Sequence, residues 1–370
     1  MSLFKQVLKQ IETNQSKKFN CISWTHKLPR FSNYIPGVSR GLYYGVTGGP
    51  SAGKTQFTDN VFLYHSIDFA IANDIELDIT YFSFEIGKQA KMTHSISKRL
   101  FEAYGSRIPP ALLQKKGDAT LDEIQLNKLY KTERYFEQVE KYITFHDDAL
   151  TPSQIFKIQM DKIRENGDYN ELTGAYTPYN PDKYILFITD HISLITPDPG
   201  QNLHTALATF SRNNIWLKNK FGVTIVNIHQ QGTEGQVEQF TNRGESIAAK
   251  LEPKLAGLGD NRTLGRDYDV VLGLFSPKKH DIDFHRGYKT KKFGDHCRFL
   301  SIIKNREGEQ DISVALYFDG AVAYFEELPK ADEFQVLQMG QKVDNEALYE
   351  KYAKGHVGVL DPSKHRLFTF

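Results

Sequence analysis

Two periods organise the apolar positions of this chain. Short apolar runs recur at Leu42 to Val46, Ile79 to Phe84, Tyr142 to His146, Tyr184 to Ile188 and Val223 to Ile228. Later runs fall at Val270 to Phe275, Phe299 to Asn305, Ile312 to Phe318 and Ala321 to Phe325. Each reads as a strand, and the unbroken 184–188 run suits a central parallel strand buried on both faces. Between them lie helical spacings. Phe57, Val61, Tyr64 and Ile67 predict a helix starting near Lys54. Further helices are expected at about 88–101, after the Thr151-Pro152 start signal, and at about 203–221. Strand alternating with helix predicts an α/β fold: a mostly parallel central sheet flanked by helices. Asp319-Gly320 adds a tight turn, and so a C-terminal antiparallel hairpin region.

The flanks read differently. Residues 1–20 predict a short amphipathic helix with Leu3, Phe4, Val7, Leu8 and Ile11 in one stripe. So short a helix needs a surface to pack on, either its own domain or a neighbouring subunit. Residues 21–41 are broken by Pro29, Pro36 and Gly37, and residues 102–140 look helical and polar. Residues 167–183 read as a surface loop, and residues 232–247 lack periodicity. Residues 328–370 form a polar tail with a short helix near Glu346 to Ala353. Its last residues, Arg366 to Phe370, fit either a docking tail or a frayed terminus. The expected division is 1–35, amphipathic helix and linker; 36–327, the nucleotide-binding domain; and 328–370, the tail.

Composition narrows the class only a little. The chain has 370 residues, 40% apolar and 25% charged, with a formal net charge of +1. Any surface for an anionic polymer must therefore be local. Two distant cysteines, Cys21 and Cys297, argue against a disulfide framework and suit a reducing cytoplasm. No signal-peptide core and no membrane-length apolar run is seen.

The chemistry begins at Gly48-Gly49-Pro50-Ser51-Ala52-Gly53-Lys54-Thr55, a complete G-x-x-x-x-G-K-[ST] phosphate loop. It follows a strand and opens a helix, the context the motif requires. The turn exposes backbone N–H groups to a phosphate, and the helix N-terminus adds partial positive charge. The expected nucleotide-binding set is Gly48, Ser51, Ala52, Gly53, Lys54, Thr55 and Gln56. Lys54 is expected to reach the β- and γ-phosphates, and the Thr55 hydroxyl to ligate Mg²⁺.

Three strand ends add polar groups. Asp190 closes the run 184–190 in the Walker B manner, placed to hold Mg²⁺ through water. Glu85 follows the run 79–84 and suits a general base for water, or a helix N-terminal acid. Gln230 ends the run 223–228 and suits a γ-phosphate sensor, or an ordinary strand-end residue. A basic insert carries Lys278, Lys279, Arg286, Lys289, Lys291, Lys292 and Arg298 among Phe284, Tyr288 and Phe293. That composition fits a single-strand nucleic-acid surface or a solvated loop. The spacing of His280, His285, His296 and Cys297 fits no standard zinc pattern.

In order, these pieces resemble the C-terminal ATPase domain of DnaB-type replicative helicases, ring-forming RecA-like P-loop ATPases of superfamily 4. The resemblance covers about 36–327. It is carried by GGPSAGKT at 48–55, YFSFE at 81–85, ILFITD at 185–190, SRNNIWLKNKFGVTIVNIHQ at 211–230, RDYDVVLGLF at 266–275 and IIKNREG at 302–308. It implies ATP and Mg²⁺ as cofactors, with Glu85 as catalytic glutamate, Asp190 as Walker B acid and Gln230 as sensor. Lys304 and Arg306 match a K-N-R hairpin whose arginine reaches the neighbouring subunit's γ-phosphate. It further implies a hexameric ring moving 5′-to-3′ on single-stranded DNA in replication, with a primase or loader as partner. The helix at 3–11 stands where the family has a linker helix that docks on the next subunit. A chain without collar or primase regions ahead of the core suits a phage or mobile element.

Departures are also visible. The family's D-L-R-E-S-G-type DNA loop corresponds here to Gly257-Leu258-Gly259-Asp260-Asn261-Arg262. Lys254 and Arg262 could substitute for its side chains, and Arg243, in the central-loop stretch, is a third candidate DNA contact. His229 replaces the serine before the sensor. Two alternatives share the fold: a RecA-like recombinase or strand-binding filament, and a KaiC-like ATPase that does not unwind DNA. Arg306, where recombinases favour lysine, and the YFSFE form around Glu85 favour the helicase.

Overall fold

The computed structural model describes residues 2–231, 251–338 and 341–353. Helix α1 (Leu3–Ser16) precedes a small antiparallel pair, β1 (Cys21–Ser23) and β2 (Gly37–Ser39). Then come β3 (Tyr43–Gly48), α2 (Lys54–Thr58), α3 (His65–Asn73), β4 (Leu77–Ser83) and α4 (Lys88–Tyr104). Short helices α5 (Pro110–Leu113), α6 (Glu123–Tyr130) and α7 (Glu133–Val139) lead to β5 (Ile143–His146) and α8 (Pro152–Glu165). The hairpin β6 (Gly167–Tyr169) and β7 (Tyr176–Pro178) precedes β8 (Tyr184–Asp190), α9 (Leu203–Phe221) and β9 (Thr224–Gln230). The chain closes through β10 (Val270–Phe275), β11 (Cys297–Asn305), β12 (Ser313–Asp319), β13 (Tyr324–Glu327), the hairpin β14 (Gln335–Gln338) and β15 (Gln341–Asp344), and a helix at Glu346–Ala353.

Nine of these strands form one sheet in the order β13-β12-β11-β10-β3-β9-β8-β4-β5. The six from β10 to β5 are parallel, and β11, β12 and β13 add antiparallel neighbours. The parallel strands end at one edge, so Gly48, Ser83, Asp190 and Gln230 lie along it. Both faces are covered, which is why these strands read as unbroken apolar runs. Leu186 and Ile188 face a core with Val61, Phe62 and Ile79, while Phe187 faces one with Ile155, Phe210 and Ile225. Thr151 and Gln154 form a reciprocal capping box at the start of α8, as the Thr-Pro signal predicts.

The helix after the phosphate loop starts at Lys54 but is not uniform. A π turn at Asp59–Tyr64 joins α2 to α3, and every residue in it is buried. The wider turn lets polar Asp59 and Asn60 face inward beside Val61 and Phe62.

Three stretches differ from the sequence expectation. Residues 167–183 contain a hairpin, not a plain loop; Tyr169 and Tyr176 pack edge-on to Phe221. The turn between β12 and β13 spans residues 320–323, longer than a two-residue hairpin, because the Asp319 carboxylate accepts from the Ala321 N–H and grips Arg107. The basic insert is a packed lobe. Its Tyr288 and Phe293 are buried with Phe334, Tyr349 and Tyr352, while Lys289 and Lys292 pair with Asp344 and Arg286 pairs with Glu252. Two of these charges, Lys289 and Lys292, therefore tie the insert to the β14–β15 hairpin, while Lys278, Lys291 and Phe284 stay exposed.

The stripe on α1 is uncovered. Leu3 is 75% and Phe4 72% exposed, and Val7, Leu8 and Ile11 are also exposed. Residues 366–370 lie outside the described residues.

Candidate active site

The phosphate loop is shaped by close contacts at its ends. A Cβ on Gly48 would sit 2.4 Å from the Leu274 carbonyl oxygen of neighbouring β10, so only glycine fits. Gly53 takes φ +94°, a left-handed conformation open to glycine, and Phe318 and Phe325 pack against it. Lys54 donates back to the Gly49 carbonyl at 3.0 Å, so its ammonium lies over the loop. Burial lowers the Lys54 pKa, and nearby Glu85 and Asp190 act against that shift. From behind, buried Arg298 donates to the Ala52 carbonyl at 3.1 Å and lies over the Phe318 ring.

Thr55 and Asp190 meet across the edge. The Thr55 hydroxyl donates to Asp190 Oδ1 at 3.1 Å. The other carboxylate oxygen, Oδ2, accepts from the Lys91 ammonium at 3.1 Å and the Tyr81 hydroxyl at 3.4 Å. Lys91 also lies 3.3 Å from Asp59 Oδ2 and 2.6 Å from the Tyr81 oxygen. The Phe84 N–H donates to the Asp190 carbonyl at 2.8 Å, which fixes the backbone just before Glu85. The Glu85 side chain is half exposed, with Oε2 3.9 Å from His191 Nε2. Gln230 is paired in register with Gly48. Its neighbour His229 is buried, and burial pulls its pKa down to about 4.

These groups border one cavity of about 360 Å³, lined by Ser51, Gly53, Lys54, Thr55, Gln56, Glu85 and Gln230. Asp59 and Asn60 of the π turn and Lys91 and His94 of α4 extend it. Loop, ammonium and helix N-terminus suit a polyphosphate. A hydroxyl and a carboxylate oxygen converging beside them are the hard donors Mg²⁺ takes, with phosphates and water completing the shell.

Lys304 and Arg306 lie elsewhere. β11 pairs with β10 so that Lys304 sits beside Val271, and Val270 sits beside Tyr44 at the start of β3. The phosphate loop leaves the other end of this six-residue strand, about 20 Å away. Lys304 donates to the carbonyls of Gly265 and Arg266, and burial lowers its pKa. Arg306 donates to Asp269 at 3.0 Å, and half its side chain is exposed.

A family model for the DnaB-like helicase C terminal domain matches residues 25–327. The chain belongs to the DnaB-like helicase family. It is an ATP-hydrolysing DNA helicase of superfamily 4. Among solved structures it is similar in fold to the ATPase domain of a phage helicase, at 17% identity and TM-score 0.66, over 89% of this chain and 99% of that one. It is similar also to a DnaB-like replicative helicase described with its interactions with primase, at 17% identity and TM-score 0.64, over 88% of this chain and 68% of that one. No curated protein matches it in sequence. The family match favours the helicase over the recombinase and KaiC-like readings.

For a DnaB-like helicase, the loop residues, Glu85, Asp190 and Gln230 are brought together, while Lys304 and Arg306 sit at the far edge. Of the DNA-contact candidates, Lys254 is exposed and its carbonyl accepts from the Gln231 side chain. Arg262 opens a short helix, Arg262–Asp267, and Arg243 lies outside the described residues. Sequence reasoning missed Lys91, Asp59, Arg298 and Asp269. Asp59 and Lys91 sit in expected helices, Asp269 just before an expected strand and Arg298 in the basic insert, and nothing local marks any of them as buried. Among the described residues no helix is long and apolar enough to cross a membrane.

Proposed function

We propose that this DnaB-like helicase binds ATP with Mg²⁺ at the 48–56 loop and completes each site with a neighbouring copy in a ring, hexameric by family resemblance. The observation that carries this is the placement of Lys54 and Arg306 at opposite edges of one sheet. A finger that lies about a strand's length from its own nucleotide serves another subunit's. Backbone N–H groups at 51–55 and Lys54 hold the phosphates. Glu85 accepts the proton of the attacking water. Thr55 Oγ1 would ligate Mg²⁺ and the Asp190 carboxylate would hold it through water; when bound, the ion would neutralise charge on the phosphate oxygens. Gln230 touches the γ-phosphate and reports its loss. Arg306 supplies a cation from next door.

The uncovered α1 stripe docks on the adjacent copy in this reading, as an exposed apolar face of that kind requires cover. The stretches 232–247 and 256–263 follow single-stranded DNA in this reading, with Lys254, Arg262 and Arg243 as the phosphate contacts to test. A primase is the first partner class to try. The deciding experiment is ATP-driven displacement of an oligonucleotide from a forked duplex, with Lys54→Ala as control. DNA-stimulated hydrolysis without displacement would overturn the proposal.

A further inference from the structure

Lys91 occupies a position that the catalytic roles above leave unexplained. It lies in the first turn of α4, with its N–H on the Gly87 carbonyl, and its side chain is 1% exposed. Its ammonium meets three oxygens: Asp190 Oδ2 at 3.1 Å, Asp59 Oδ2 at 3.3 Å and Tyr81 at 2.6 Å. The Tyr81 hydroxyl donates onward to Asp59 Oδ1 at 2.9 Å. Both carboxylates are buried, so they need a counter-charge, and Lys91 pairs with the two together.

The division of labour within Asp190 is the informative part. Lys91 takes its inner oxygen, with the Tyr81 hydroxyl oxygen 3.4 Å from it, and Thr55 takes its outer one. A carboxylate held on one oxygen has less freedom to rotate, which favours the other keeping its aim at the Thr55 hydroxyl. Groups that hold a metal-ligating carboxylate from behind set its geometry and commonly contribute about 10–100-fold to metal affinity. We infer that Lys91 is a positioning residue for the phosphate-site metal: with Asp59 and Tyr81 it locks the Asp190 carboxylate so that its outer oxygen faces Thr55. Asp59 completes the lock, because its Oδ2 lies 3.3 Å from the Lys91 ammonium and its Oδ1 accepts from the Tyr81 hydroxyl. This rests on the assignment of Asp190 as the Mg²⁺-holding acid.

The test reads Mg²⁺ dependence of binding, not turnover. Fluorescent mant-ATP is titrated onto the full chain over a range of Mg²⁺ concentrations. Wild type is compared with Lys91→Met, Asp59→Asn/Lys91→Met and Asp190→Asn. Lys91→Met leaves Asp59 buried and unpaired and should lower the thermal midpoint. The double variant removes one of the two carboxylates that Lys91 balances and should recover part of the midpoint, separating fold from positioning. The expected result is a half-saturating Mg²⁺ concentration raised about tenfold or more in both Lys91 variants. Mg²⁺-free nucleotide binding should be little changed. Wild-type Mg²⁺ dependence in the folded double variant, with a clear shift in Asp190→Asn, would overturn the inference alone. Wild-type dependence in Asp190→Asn as well would sink both the inference and the assignment of Asp190.

Discussion

Arg306 donates to one oxygen of Asp269 at 3.0 Å, while the other oxygen accepts from the Lys218 ammonium at 2.7 Å and the Tyr43 N–H at 2.9 Å. Tyr43 is the first residue of β3, and β3 ends in the phosphate loop. The proposed finger is thus fastened, through one buried carboxylate, to the strand that carries its own subunit's loop. Force on Arg306 from a neighbour's nucleotide has a direct covalent and hydrogen-bonded route to that loop.

Removing the finger should leave the fold and remove turnover. Arg306→Ala is expected to lower DNA-stimulated ATP hydrolysis by about 10³-fold or more while keeping mant-ATP binding. Mixed rings of Arg306→Ala and Glu85→Ala subunits should recover part of the rate, since some interfaces then pair an intact glutamate with an intact finger. A dead mixture, with co-assembly shown by native mass spectrometry, would contradict sharing of the site.

Arg298 should matter to the loop although it touches no phosphate in this arrangement. Its donation to the Ala52 carbonyl is buried, and Arg298→Met would leave that acceptor unpaired, a cost of about 1–3 kcal/mol. The urea midpoint should fall, and mant-ATP affinity should weaken with it. An unchanged affinity would show that the loop keeps its shape without the buttress.

The α1 stripe predicts an assembly defect. Leu8→Glu combined with Phe4→Glu should shift the particle towards smaller species in light scattering while leaving the monomer's stability within about 0.5 kcal/mol, as for other exposed substitutions. Rings of unchanged size would mean the stripe meets something other than a second copy.

Acidification should destabilise the chain through its buried histidines. Burial holds His65 and His229 down to about 4, against about 6.5 when unfolded. Their contribution is therefore present above pH 6.5 and is lost as the pH falls towards 4, by about 2 kcal/mol each at pH 5. Asp68 runs the other way. Burial raises it to about 6, so its contribution is present at low pH and gone above that value. Two groups outweigh one, and the urea midpoint should drop between pH 7 and 5. His65→Asn should shrink that drop; an equal drop in the variant would remove His65 from the account.

Much of this was legible along the chain. The phosphate loop is a local object: its glycines, lysine and threonine act within a few residues of each other, and their order is their geometry. Glu85, Asp190 and Gln230 were also readable, because strand ends are marked by where an apolar run stops, and parallel strands end at one edge. The hairpin at 167–178 was less so, since its pairing is held by Tyr169 and Tyr176 packing on Phe221, a residue on a distant helix.

What the amino-acid order determined by itself, then, was the sheet's alternation with helices and the nucleotide chemistry at its edge. Tertiary structure alone decided which charges are buried. Lys91, Arg298 and Asp269 carry no mark of burial in sequence, and the insert with Lys289 and Lys292 reads as either a binding surface or a solvated loop. Lys91 in its helix turn has no local mark of burial, because Asp190, which helps make its burial tolerable, lies far away in the chain. Apolar periodicity is a property of neighbours in sequence; a charge pair is a property of neighbours in space. The placement of Arg306 far from Lys54 belongs to the second kind, set by the antiparallel return of β11 along β10.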